Sequence, residues 1–158
     1  LFMVTLLTNV IAAPLLGAVV ARFGERLALI VEYGGLCAIF LLYAGLYIFD
    51  WGPWVAGALY VLNHLFFALA LAIKTYFQKI ALPGDIAPTA AVAFTINHIA
   101  AVFLPAALGY LWLTSPTTVF FLAAGMALVS LCLSLLVPRH PEPGHETVLS
   151  RAAVAPAE

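Results

Sequence analysis

The chain has 158 residues, of which 65% are hydrophobic and only 8% are Asp, Glu, Lys or Arg, and its mean hydropathy is +1.13. A soluble domain carries about 25% charged residues, so a water-soluble fold of this size could not cover itself and the natural solvent is lipid. The formal net charge of −1 provides no field to draw nucleic acid or an acidic partner.

In lipid every backbone N–H and C=O must be paired within the chain, which leaves helices or a closed barrel. The apolar runs here are long and lack strand-like alternation, so they are read as helices. The first span covers 1–21 and ends in the polar turn Arg22-Phe23-Gly24-Glu25-Arg26. The second covers 27–49 and closes on Asp50-Trp51-Gly52-Pro53, with aromatic residues at the membrane interface. The third covers 54–74, its helix continuing to Ala81, before the loop Leu82-Pro83-Gly84-Asp85-Ile86-Ala87-Pro88. The fourth covers 89–113 and turns at Thr114-Ser115-Pro116; Thr117 is expected to cap the fifth, which ends near Val137 and Pro138. Each run meets the ~20 residues that a ~30 Å hydrocarbon core requires. From Pro138 the composition changes to Arg139-His140-Pro141-Glu142-Pro143-Gly144-His145-Glu146, expected to be a disordered tail. The expected division is a five-helix transmembrane bundle over 1–137 and a tail over 138–158.

All six Lys and Arg fall on one side of this layout: Arg22 and Arg26 in the first turn, Lys74 and Lys79 at the third, Arg139 and Arg151 in the tail. The positive-inside rule makes that side, and the C-terminus, cytoplasmic. Cys37 and Cys132 lie in apolar runs without metal-ligand spacing and read as small packing residues. The sequence shows no Gly-rich phosphate loop, no His-Glu-x-x-His helix and no Gly-x-Ser-x-Gly elbow. Two histidines within spans lack a third ligand, so no enzyme, cofactor or metal site is expected.

The turn Gly17-Ala18-Val19-Val20-Ala21-Arg22-Phe23-Gly24-Glu25-Arg26 resembles the signature of major facilitator transporters: Gly, three residues, Asp, Arg, one residue, Gly, one residue, then Arg or Lys. Gly17, Arg22, Gly24 and Arg26 carry the match, and Pro14 fits its extended form. Ala21 departs from it, standing where the family usually has an Asp that is charge-paired at the cytoplasmic face. The signature recurs in degraded form between the eighth and ninth helices of that family, and four spans follow it here. The resemblance therefore implies an all-α membrane protein whose five transmembrane helices are helices eight to twelve, most of the C-terminal six-helix bundle of a major facilitator fold. The stretch from Lys74 through Asp85-Ile86-Ala87-Pro88 to Val102 looks like a bacterial and archaeal group of that superfamily. A prokaryotic inner membrane is the implied location. With Leu1 opening inside an apolar run, the chain reads as a piece of a longer protein whose N-terminal half is its partner.

Polar residues within spans are costly and face a bundle interior or water. Asn63 and His64 lie mid-span in the third helix, Asn97 and His98 in the fourth, and Asn9 near the middle of the first. Two readings stand for the Asn-His pairs: they line a solute or proton path, as the tenth and eleventh helices of the family fold border its cavity, or they bond adjacent helices together. Asn63 and Lys74, eleven residues apart, are expected to share a helix face. On the fourth span Ala91, His98, Pro105 and Trp112 recur every seven residues with Gly109 beside them, which suits close packing or a watery cavity. Glu32 is expected to pair between helices or at the interface, Lys74 to snorkel to the headgroups, and Gly34, Gly35, Gly45, Gly57, Gly109 and Gly125 to permit close helix packing. Function is expected to be secondary transport of a small solute by alternating access with coupled protons. The alternative is a non-transporting structural or receptor-like bundle.

Overall fold

The computed structural model describes Met3, residues 14–18 and residues 20–150. Most of the first predicted span, with Asn9, and residues 151–158, with Arg151, lie outside the described residues. The described chain is helical, without a β-strand among its described residues: α1 (Pro14–Phe23), α2 (Glu25–Phe49), α3 (Pro53–Phe67), a 3₁₀ turn (Ala68–Ala70), α4 (Leu71–Ile80), α5 (Ile86–Thr114) and α6 (Pro116–Ser134). Four segments are long and apolar enough to cross a membrane: Glu25–Phe49, Pro53–Ile80, Ile86–Thr114 and Pro116–Ser134.

Local chemistry places the breaks. Gly24 closes α1 by donating to the Val20 carbonyl at 2.9 Å and turns the chain with φ 84, a conformation that a Cβ would strain. Asp50 and Gly52 both take positive φ between α2 and α3, and Pro53 opens α3 where its missing N–H has no role. At the next tight turn the cap is Ser115 rather than Thr117. The Ser115 hydroxyl oxygen accepts from the Thr118 N–H at 3.3 Å, and Pro116 occupies the first turn, so Thr117 lies inside α6.

Helix α2 is the centre of the bundle, with α6 along one side and α3–α4 along the other. Near the α1–α2 turn the core is Val20, Ala28, Leu29, Leu69, Ala72 and Val137. At the opposite end an aromatic cluster joins α2, α5 and α6: Tyr43 stacks on Phe120 at 5.0 Å, and Trp112 meets Tyr47 at 5.7 Å and Phe120 at 5.6 Å. Of the glycines expected to allow close approach, Gly35 faces the Phe66 ring and Gly45 faces Trp51, whose ring would lie 3.1 Å from a Cβ there. Gly34, Gly109 and Gly125 have nothing within 4 Å of a Cβ position. Helix α5 has no buried residue at all. Its seven-residue stripe packs only at Trp112, and Ala91, His98, Pro105 and Gly109 stay exposed.

Residues 138–150, expected as a disordered tail, instead fold back on the bundle in turns. His145 N–H donates to the Glu142 carbonyl at 2.9 Å, Val148 N–H to the Leu136 carbonyl at 2.8 Å, and the Tyr76 hydroxyl to the Glu146 carbonyl. A segment with little to bury is held here by polar groups that satisfy one another locally, which composition does not register. The backbone N–H of Glu146 itself, then that of Gly144 at 2.7 Å, hold the Glu146 carboxyl below the usual carboxylate range, helped by the Ser150 hydroxyl and His145. A depressed folded-state value stabilises the turn above the ordinary pKa and loses that contribution as pH falls through the lower folded value. The Gly144 amide resonance is therefore expected to titrate with a midpoint below 4.5, and Glu146→Gln to abolish that titration. A midpoint at or above 4.5 would show that the carboxylate does not hold the turn.

Candidate functional site

The two Asn-His pairs sit in the same local motif. Tyr60-Val61-Leu62-Asn63-His64 and Phe94-Thr95-Ile96-Asn97-His98 both read aromatic, β-branched, aliphatic, Asn, His, a repeat that was legible in the sequence and missed there. In each, the four-residue spacing lays the imidazole over the aromatic ring one turn back. His64 lies 4.4 Å from the Tyr60 ring with Nδ1 2.9 Å from the Tyr60 carbonyl, and His98 lies 3.9 Å from the Phe94 ring with Nδ1 3.0 Å from the Phe94 carbonyl. A neutral imidazole meets that carbonyl only with its hydrogen on Nδ1, which donates and leaves Nε2 as an acceptor. Both rings are thus held in one tautomer by their own helix, with Nε2 unspent in that bond.

Their surroundings differ. His64 is half-buried on α3, and the neighbouring Asn63 has its Oδ1 buried with no hydrogen-bond partner among the described residues. Asn97 and His98 are exposed on α5. Asn97 lines a cleft of about 470 Å³ between α4 and α5, together with Lys74, Gln78, Thr89, Phe77 and Phe94. The structure therefore brings Lys74 and Asn97 together and leaves Asn63, His64 and His98 off the cleft lining.

Asn63 and Lys74 do not share the face expected of them. An unbroken α-helix would separate them by only about 20° over eleven residues. The Ala68–Ala70 turn is 3₁₀, and three residues at 120° each add about 60°. Asn63 is consequently turned inward while Lys74 is exposed on the cleft wall.

Glu32 lies on the inner face of α2 with 2% of its surface exposed, and its Oε2 has no hydrogen-bond partner among the described residues. The interhelical pairing expected of it is therefore not formed at that oxygen by the described residues.

At the α1–α2 turn, Gly24 takes a positive φ of 84. Gly17 is half-buried but has nothing within 4 Å of a Cβ position, so no close approach among the described residues requires it. Arg22 is exposed, its guanidinium 5.6 Å from the Phe23 ring centroid, and Arg26 is half-buried. Ala21 leaves no acid at the usual place, but the next acid along, Glu25, is 4% exposed and takes Lys79 Nζ at 2.7 Å. This pair ties the α1–α2 turn to the end of α4, and it is the one ion pair among the described residues. Sequence reasoning passed over Glu25, although an acid in one turn and a lysine at the neighbouring turn on the same membrane face was the signal. No family model, no curated protein and no solved structure matches the chain.

Proposed function

We propose that the chain is part of a secondary transporter of the major facilitator type, with the α4–α5 cleft facing the solute path. The observation that carries this reading is α5, a helix long enough to span the membrane that buries no residue yet places Thr89, Asn97 and His98 on its open surface. A helix bathed only in hydrocarbon would leave the Asn97 amide and the His98 Nε2 unsatisfied there. A watery path satisfies both. In this reading Lys74 supplies a cation, Asn97, Thr89 and Gln78 supply donors and acceptors, and the apolar floor of Phe77 and Phe94 supports the nonpolar part of a small polar solute. His98, exposed on the same helix beside Asn97 but off the cleft lining, offers its free Nε2 to the same watery surface. The Glu25–Lys79 clamp and the Gly24 turn hold the helix ends while this bundle rocks against its partner half.

A non-transporting bundle is the second reading. The apolar packing around Ala28, Leu29, Leu69 and Ala72 favours it for the α2 side. Uptake by proteoliposomes of the full-length protein, over metabolite and drug panels with and without a pH gradient, separates the two. Flux driven by the gradient is expected, and His98→Ala or Asn97→Ala is expected to lower it about tenfold or more, the loss that follows from one missing hydrogen bond to a charged group. His64→Ala, half-buried on α3, is expected to lower it less. Flux unchanged in all three variants would remove the cleft from the path, and folded protein with no gradient-driven flux would favour the structural bundle.

A further inference from the structure

Basic residues far apart in sequence meet at the α1–α2 turn. The chain after α6 returns so close that a Cβ on Gly24 would lie 3.9 Å from the Arg139 carbonyl oxygen. Arg139 and His140 thereby join Arg26 around a groove of about 540 Å³ floored by Phe23, Leu27 and Ile30. An adjoining hollow takes in Arg22 and Lys79 and shares Arg139 and His140 with the first. The Lys79 charge is already met by Glu25 at 2.7 Å. Arg22, Arg26 and Arg139 form no ion pair with a carboxylate among the described residues.

The groove has two chemistries in a definite order. Two guanidinium groups, Arg26 and Arg139, and the His140 imidazole line its polar side, with Arg22 in the adjoining hollow, while Leu27 and Ile30 belong to the first turns of α2, a helix of 25 residues apolar enough to span the membrane. Its floor thus begins where hydrocarbon begins, and its rim lies at headgroup level. An inorganic phosphate would meet the rim and leave the floor bare. A choline headgroup would bring a cation among cations.

We propose that this groove binds an anionic phospholipid, its phosphate held by the Arg26 and Arg139 guanidinium groups and an acyl chain laid along Leu27 and Ile30. His140 completes the rim, and Arg22 adds positive charge from the adjoining hollow. The occupied groove pins the 138–150 segment to the α1–α2 turn and so braces that end of the bundle. This inference needs only the membrane placement of α2 and stands apart from the transport reading.

The test uses the purified full chain in nonionic detergent, titrated with phosphatidylglycerol, phosphatidylcholine or inorganic phosphate, with retained lipid read by native mass spectrometry and stability by melting temperature. Phosphatidylglycerol is expected to be retained in preference and to raise the melting temperature. Arg26→Gln and Arg139→Gln are each expected to weaken its binding about fivefold, the effect of one basic residue near an anionic headgroup. Arg139 is exposed and lies outside the helices, so its variant reads binding without a folding defect. Equal retention of phosphatidylcholine would overturn the proposal. So would equal stabilisation by inorganic phosphate, which would leave only an anion site, or phosphatidylglycerol binding that is unchanged in Arg139→Gln.

Discussion

Glu32→Leu is expected to raise the stability of the detergent-solubilised protein by about 1–3 kcal/mol, the desolvation cost of a buried polar group left without a partner. Glu32 is 2% exposed, beside Leu29, Leu36 and Ile39 on the inner face of α2, and its Oε2 finds no hydrogen-bond partner among the described residues. The same face carries Glu25 two turns earlier, where Lys79 compensates the charge. Of the elements packed on α2, α6 presents no acid or base other than Cys132 between Pro116 and Ser134. An orphaned buried acceptor costs its full desolvation, and leucine removes it. Groups left in this condition mark places where function outweighs stability. On the transport reading proposed above, the same variant is expected to lose gradient-driven flux in proteoliposomes. A thermal-melting series of wild type, Glu32→Gln and Glu32→Leu decides the matter. A fall in stability for Glu32→Leu would return Glu32 to the interhelical pairing read from sequence.

The second large effect is steric. Gly35→Ala is expected to destabilise by about 1–3 kcal/mol, because a Cβ at that position would clash with the edge of the Phe66 ring, which would have to shift. The neighbouring Gly34 is the control. A Cβ there meets nothing within 4 Å, so Gly34→Ala is expected to be neutral or to stabilise by up to about 1 kcal/mol through helix propensity. If the Phe66 ring is the cause, Gly35→Ala combined with Phe66→Leu will cost less than the sum of the two single changes. Additive costs, or a Gly34→Ala loss as large as that of Gly35→Ala, would show that helix α2 does not owe its approach to this glycine.

The four spans within the described residues, and the turns between them, were legible in the sequence because they depend on neighbours. An apolar run of about 20 residues in lipid has little choice but helix, and Gly24, Asp50 to Pro53, and Ser115-Pro116 break the helices by backbone conformation that a few residues set on their own. The Asn-His pairs were also legible, being polar residues in apolar runs. Which of them share a space was not. The three residues Ala68–Ala70, apolar and unremarkable in sequence, tighten the helix and swing Asn63 away from Lys74 by an angle that a 3.6-residue period does not contain. Glu25 and Lys79 become partners, Arg139 reaches Gly24, and Tyr76 holds Glu146 through contacts between distant positions. Glu32 is left unpartnered at Oε2 for the same reason: whether a buried polar atom is satisfied depends on the side chains that neighbouring helices bring beside it. Composition and periodicity describe each helix against a uniform solvent, whereas pairing is set by the rotation and contact of one helix upon another.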